Sequence, residues 1–444
     1  MEQLIGEIGR ELHAALPRPS KNPVKAVDAK AMEMASRDAE LRAALFRLVD
    51  VTPATRSLDD LARHLGAYLG EVGERPPPIE AAMKASASRA GRQMLGVAAA
   101  GGVRHMAHRF IVGESPRAAL KALRDLWEDG AATSVDLLGE ATVTRDEADR
   151  YAARCLEALE VLADAVPKWP DRPPLEQDSL GPLPRVNLSV KVSALTPLMR
   201  PEAPEKGRDD AAARMRPLLR RAKELDAHLH IDMESLDAFE TTMELVHELL
   251  DEPEFLDGPS SGVVLQAYLR ESPEQLDRLV GWARASSRKP PLTVRLVKGA
   301  YWDHEVVEAR QHGWAPPVFE VKADSDRNFE ELTRRLLDAR PLFRVAIASH
   351  NLRSVAHAIA WNRSTGGEDR DLELQILRGL GDELQQALAS RGHRVRAYCP
   401  VGDLVAGMAY LVRRLLENTS NDSFLGEQQR GAPIEELLAA PGKD

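Results

Sequence analysis

Eight short β-rich runs, each followed by a helical stretch, leave few ways to fold this chain. The runs are TSVDLL (133–138), VNLSVKVSA (186–194), LHIDME (229–234), VVLQAY (263–268), LTVRLVK (292–298), RVAIAS (344–349), LELQIL (372–377) and RVRAYC (394–399). Amphipathic patterns such as RDDAAARMRPLLRRAKEL and FEELTRRLLDA separate them, and DLVAGMAYLVRRLLEN follows the last. Because crossovers between parallel strands are right-handed, this layout predicts a closed (βα)8 barrel, an α/β fold. A doubly wound open sheet is the competing arrangement, but it usually shows a glycine-rich phosphate turn after its first strand. Neither GxGxxG nor GxxxxGK[ST] occurs in the chain.

Before residue 111 the pattern is helical, broken at LPRPSKNP and GERPPPIE, so residues 1–110 are expected to form a helical arm or cap. Ser115 and Pro116 give an N-cap and first-turn signal just after it. The barrel is expected over 111–425 and a tail or linker over 426–444. No apolar run approaches the roughly 18 to 20 residues that cross a bilayer. The start, MEQLIGEIGRELHAAL, has the pattern of an acidic amphipathic helix instead of a secretory signal, which suggests a cytoplasmic protein. Two cysteines, Cys155 and Cys399, are too few for a disulfide framework or a thiolate metal site. A net charge of -10 argues against broad nucleic-acid binding.

Side chains alternate along a strand, so one parity faces the barrel axis and the other faces the helices. In the third strand Leu229, Ile231 and Met233 supply the apolar set, leaving His228, His230, Asp232 and Glu234 inside. The second puts Val190 and Val192 outward and Ser189, Lys191 and Ser193 inward; the fourth sets Gln266 and Tyr268 against Val263, Leu265 and Ala267. Arg295 joins from the fifth strand, His350 and Asn351 end the sixth, and Arg394, Arg396 and Tyr398 share one parity of the eighth. Barrel interiors are usually filled with branched aliphatics, so ionisable groups near the C-terminal strand ends point to a site, with an internal salt-bridge network as the alternative. Lys191, Arg295, Lys298, Arg413 and Arg414 outnumber Asp232, Glu234 and Glu417, which suggests an anionic ligand. If the helix carrying YLVRRLLEN lies over the mouth, Arg413 and Arg414 form a guanidinium clamp for a small carboxylate, with Lys191 as a third cation. A metal-dependent barrel hydrolase using His230 and Asp232 is the rival reading, although only His350 and Asp403 remain as further ligands. At the end of the fifth strand, VKGAYW joins a lysine, a glycine and two aromatic faces, which suits a large planar cofactor bearing phosphates.

The motifs VNLSVKVSAL, LHIDMES, VVLQAY, VRLVKGAYWD, SHN, AYCPVGDL and YLVRRLLENTSNDSF resemble, in order, those of the bacterial proline dehydrogenase family, most of all the proline dehydrogenase part of proline utilization A proteins. The resemblance runs from about Phe110 to Phe424, with a weaker likeness around LFRLVDVTPAT. It implies a distorted barrel with FAD at the strand C-termini and the last helix over the mouth. By the same resemblance Lys191, Arg413 and Arg414 hold the proline carboxylate, Tyr301, Leu377 and Tyr398 shape the pocket for its ring, and Asp232 orients this set. The flavin is expected at Gln266, Arg295, Lys298, Gly299, Ala300, Tyr301 and Trp302, with Lys322, Ser325, His350, Asn351 and Glu417 along the rest of the cofactor. Arg295 is the expected donor to the flavin's reactive nitrogen edge. Glu320 and Ser325 depart from the proteobacterial pattern, each standing where that pattern has a threonine.

The implied reaction is hydride transfer from L-proline to FAD, giving Δ1-pyrroline-5-carboxylate in the first step of proline catabolism to glutamate. Electrons are expected to pass to a membrane quinone through a peripheral contact at the inner face of the membrane. A pyrroline-5-carboxylate (aldehyde) dehydrogenase, separate or fused, is the expected partner. The chain ends about twenty residues past the last matched motif, so it is either a monofunctional enzyme or a piece of a longer one. No repressor activity is expected.

Overall fold

Branched aliphatic residues alternate with polar ones in the β-rich runs, giving each strand one face for a helix and one for the barrel axis. The computed structural model describes residues 1–17, 38–73, 77–139, 141–403, 407 and 431–442. Within them, β1 (Ala131–Leu137), β2 (Asn187–Lys191), β3 (His228–Asp232), β4 (Ser260–Gln266), β5 (Leu292–Val297), β6 (Phe343–Ala348), β7 (Leu372–Leu377) and β8 (Arg394–Val401) are the eight expected strands. They close into a parallel barrel in the order β1-β8-β7-β6-β5-β4-β3-β2. A two-stranded hairpin, Gln177–Asp178 with Gly181–Pro182, is separate from it.

β2, β3 and β4 end before their expected boundaries, and the structure corrects the inward placement of Tyr268. The chain leaves β2 after Lys191 and turns into the short helix Val192–Leu195, where the Ser193 carbonyl accepts the Thr142 N–H at 3.1 Å. Past β4 the Ala267 and Tyr268 N–H groups still donate to the Val297 and Lys298 carbonyls, at 2.9 and 2.7 Å, and the chain also meets residues 317–319: the Tyr268 carbonyl accepts the Phe319 N–H at 2.8 Å. Tyr268 therefore packs with Leu269, Val306 and Val318 in a small cluster of its own.

The outward parity is apolar as expected. Val190, Leu229, Ile231, Leu265, Leu296, Leu374, Ile376, Val395 and Cys399 join one core with the surrounding helices. Burial of each large side chain stabilises the fold by roughly 1.5–3 kcal/mol. The helices start where their caps predict. Ser115 Oγ accepts the Ala118 N–H at 3.2 Å ahead of Pro116–Glu128, and Thr144 and Glu147 form a reciprocal capping box for Arg145–Ala165.

The helices Ala39–Val51, Leu58–Gly70, Pro77–Ala85 and Arg89–Phe110 surround a second core built on Leu41, Leu48, Leu61, Leu65, Val103 and Phe110. That core takes in Leu138, just past β1, and the partly buried Leu377 and Leu380, so it sits against C-terminal strand ends. Arg109 Nε donates to the Gly379 carbonyl at 2.8 Å. Gly379 has φ +87°, and a Cβ there would come within 2.7 Å of the Arg109 carbonyl oxygen, so the contact needs glycine. The first helix, Glu2–Ala15, packs elsewhere, on the outer helix Leu352–Ser364. There the buried Arg353 joins Glu2, Glu330 and the Leu438 carbonyl. The helix expected over the mouth, with Arg413, Arg414 and Glu417, lies outside the described residues.

Candidate active site

Parallel pairing places Lys191 at the end of β2 directly beside Asp232 at the end of β3. Asp232 is the junction of the mouth. Its Oδ1 accepts Arg295 Nη1 at 2.6 Å, its Oδ2 accepts the Tyr398 hydroxyl at 2.6 Å, and Lys191 Nζ stands 3.7 Å from Oδ2. The Lys191 ammonium also pairs with Asp136, a fully buried carboxylate on β1. The Arg295 guanidinium carbon lies 5.2 Å from the centre of the Tyr398 ring, a cation–π distance.

Arg295 is fixed from below as well. Its Nε donates to Gln375 Oε1 at 2.6 Å and its Nη2 to Ser189 Oγ at 3.3 Å. Gln375 Nε2 donates in turn to Glu373 Oε1 at 2.6 Å, which commits the amide nitrogen downward and turns the amide oxygen toward Arg295. Arg396 grips both Glu373 oxygens, at 2.9 and 3.0 Å.

This environment fixes protonation. Burial works against the Lys191 charge, yet Asp136 and Asp232 hold its ammonium above the ordinary lysine value. Burial, with the same two carboxylates, pushes the Tyr398 hydroxyl well up. At neutral pH the first is a permanent cation and the second a neutral donor.

The cofactor candidates flank this cluster. Gln266, 2% exposed, donates its Nε2 to the Glu234 carbonyl at 3.0 Å, while its Oε1 is buried and unpartnered. An unmet buried acceptor costs roughly 1–3 kcal/mol, which a ligand N–H would recover. Lys298 pairs with Asp326, and Lys322 reaches the same carboxylate at 3.1 Å. Burial lowers the Lys298 ammonium; it works against the Asp326 charge too, but Lys298 and Lys322 outweigh it and hold that carboxyl below its usual value. Two ammonium groups against one carboxylate leave a positive charge suited to a phosphate.

Gly299 has φ +140°, and a Cβ there would lie 2.4 Å from Tyr268 Cδ1, so the backbone at 299 is bare by necessity. Tyr301 precedes the helix Trp302–His312, and Trp302, 38% exposed, donates its Nε1 to the Phe319 carbonyl at 2.9 Å. His350 Nε2 accepts the Leu377 N–H at 3.0 Å, Leu377 pairs with Tyr398 across β7 and β8, and Asn351 Oδ1 caps Leu352–Ser364 through the Ser354 N–H at 3.0 Å. Ser325 is buried in the first turn of Lys322–Asp338. The structure thus joins Lys191, Asp232, Arg295 and Tyr398 directly, and joins Lys298 with Lys322.

The expected cation excess counted Arg413, Arg414 and Glu417, which lie outside the described residues. Within the described residues Lys191 pairs with Asp136, Arg295 with Asp232 and Lys298 with Asp326. Asp136, Glu373 and Gln375 were missed, although the alternations Ser134/Asp136 against Val135/Leu137 and Glu373/Gln375 against Leu372/Leu374/Ile376 point all three inward. Asp326 had a weaker signal, its i,i+4 spacing from Lys322. For the rival metal reading, both Asp232 oxygens are engaged by Arg295 and Tyr398, and His230 Nδ1 lies 3.2 Å from His228 Nε2. No group of three His, Cys, Asp or Glu side chains able to hold a metal occurs among the described residues.

A closed (βα)8 barrel with charged and aromatic side chains converging at its C-terminal rim defines a barrel of the enzyme class. The chain belongs to the proline dehydrogenase family: the family model described as "Proline dehydrogenase" matches residues 119–427, and "Proline utilization A N-terminal domain" matches residues 2–110. The bifunctional protein PutA of Salmonella typhimurium is 31% identical over 399 residues, which are 87% of this chain and 28% of that protein. Proline dehydrogenase 1 of Bacillus subtilis is 28% identical over 329 residues, 73% of this chain and 90% of the relative. The crystal structure of PutA from Bdellovibrio bacteriovorus inactivated by N-propargylglycine superposes with a TM-score of 0.90 at 36% identity, covering 99% of this chain and 44% of that one. The chain therefore spans under a third of the Salmonella relative and under half of the Bdellovibrio chain.

Proposed function

We propose that this chain oxidises L-proline to Δ1-pyrroline-5-carboxylate with FAD at the barrel mouth, as the first step of proline breakdown to glutamate. The observation that carries the reading is the Asp232 junction, which ties one permanent cation, one guanidinium and one phenol into a fixed set facing the rim. The orphaned Gln266 oxygen, the bare backbone at Gly299 and the Lys298/Lys322 pair fit a flavin and its phosphates. When bound, FAD supplies a two-electron oxidation, taking hydride from the ring carbon beside nitrogen as that nitrogen loses its proton and the C=N bond forms.

The chain's own residues then bind and orient. Lys191, charged throughout the neutral range, attracts the substrate carboxylate together with Arg413 and Arg414. Tyr398, Tyr301 and Leu377 shape the space for the proline ring, and Asp232 holds Tyr398 and Arg295 in register. Neither Lys191 nor Tyr398 serves as a base, because their environment keeps both protons on. Arg295 presents its remaining N–H groups to the flavin's nitrogen edge, and Ala300, Trp302, Ser325, His350, Asn351 and Glu417 line the rest of the cofactor. In this reading residues 1–110 form the arm, 111–425 the barrel and 426–444 a tail. A quinone takes the electrons through peripheral contact of a cytoplasmic protein with the membrane, and a pyrroline-5-carboxylate dehydrogenase takes the product.

The test is an anaerobic absorbance spectrum of the FAD-loaded protein before and after L-proline. Bleaching of the flavin bands by L-proline, and not by D-proline, is expected. A flavin spectrum unmoved by L-proline at millimolar concentration would overturn the assignment.

A further inference from the structure

A second polar assembly lies at the N-terminal end of the barrel, away from the mouth. The hairpin 177–182 brings in Asp178, 3% exposed, which pairs with Arg344 of β6 and Arg394 of β8. Above it Arg396 grips Glu373. Between them is a cavity of about 20 Å³, room for one water or one ion of similar size, whose lining includes Arg344, Arg394, Arg396, Glu373, His228 and His230.

The wall has donors to spare and few free acceptors. Asp178 Oδ1 accepts the Leu180 N–H at 2.9 Å and Arg344 Nη2 at 3.3 Å, and its Oδ2 accepts Arg344 Nε at 3.0 Å and Arg394 Nη1 at 3.1 Å. Both Glu373 oxygens are taken by Arg396, and Gln375 donates a further hydrogen bond to Oε1. By contrast Arg394 Nε is buried without a hydrogen-bond partner, 3.9 Å from the nearer Glu373 oxygen. Among the described residues here, three guanidinium groups face two carboxylates. Both imidazoles stay neutral, since burial and the nearby arginines hold His228 at about 3 and His230 low as well. A water would meet the spare Arg394 donor and leave the charge uncompensated; a small anion meets both needs.

We propose that this cavity binds a monovalent inorganic anion of the halide class, held by the spare N–H of Arg394 beside His230. The site is independent of the flavin and proline sites at the opposite end of the barrel.

To test it, the purified full chain is melted at fixed ionic strength in sodium gluconate, chloride and bromide, and crystals grown in bromide are measured at the bromine absorption edge. The expected result is an anomalous peak in the cavity within about 3.5 Å of Arg394 Nε. Melting should come about 2 °C or more higher in bromide than in gluconate, and Arg394→Gln should abolish that gain. Thr293→Leu, which fills the cavity without removing a charge, serves the same purpose if Arg394→Gln does not fold. Any of three outcomes overturns the proposal. They are a cavity holding a water with no anomalous signal, a peak in the crystal with no halide dependence of melting (binding at crystal concentration only), and a halide dependence that persists in both variants.

Discussion

Asp232→Asn tests the junction of the mouth. The described cluster holds two cations, Lys191 and Arg295, against two carboxylates, Asp136 and Asp232, and all four are largely buried. Asparagine removes one negative charge and keeps one acceptor oxygen, so Arg295 and Tyr398 no longer both find an acceptor at this residue, and an NH2 group is left facing a donor. Removing one partner of a buried ion pair costs about 3–5 kcal/mol. A barrel the size of the 119–427 match unfolds with an entropy near 0.65 kcal/mol/K, so that cost corresponds to a fall in melting temperature of about 5–8 °C. Tyr398→Phe, which removes a single O–H donor to the same carboxylate, should cost about 1.5–3 kcal/mol and lower melting by about 2–5 °C. Differential scanning calorimetry of both variants decides the matter. An Asp232→Asn protein melting within about 1 °C of the parent, or a Tyr398→Phe protein as unstable as Asp232→Asn, would show that the carboxylate is not the centre of the cluster.

Gly299→Ala should lose about 2–4 kcal/mol in urea denaturation, since the new methyl meets the Tyr268 ring at 2.4 Å and φ stands at +140°; an unchanged midpoint counts against the close approach. His228 titrates at about 3 when folded against 6.5 when free, so its stabilising effect is complete above pH 6.5 and drains away as pH falls toward 3. The loss is about 2 kcal/mol at pH 5 from this residue alone, and His228→Asn should flatten the decline in urea midpoint between pH 7 and pH 5. Arg413→Met should raise the proline KM sharply while FAD stays bound; unchanged kinetics would remove this residue from the carboxylate clamp.

How much could be read from the chain alone follows from how local each signal is. Strand parity is a two-residue rule, so it placed Lys191, Asp232, Arg295 and Tyr398 on the barrel's inner side without coordinates. The same rule, applied to β1 and β7, would have added Asp136, Glu373 and Gln375. It failed at Tyr268, which packs with Val306 and Val318, residues distant in sequence that no strand pattern announces. Charge balance was the least legible quantity. The pairing of Lys298 with Asp326 joins the end of a strand to a helix 28 residues on, and the Asp178 contacts with Arg344 and Arg394 span far more of the chain. Such pairs are made by closure of the ring, which no local pattern encodes.

From Tyr398 through Asp232, Arg295, Gln375 and Glu373 to Arg396, each polar side chain along the barrel axis finds a hydrogen-bond partner in the next. An interior wired in this way cannot drift one position at a time, because every replacement strands a neighbour's donor or acceptor in the dark of the barrel. Substitutions at residues 232, 295, 373, 375 and 396 should therefore appear across relatives as matched sets inherited together, and a barrel that reads a different amino acid at its rim should carry a rewritten column beneath it.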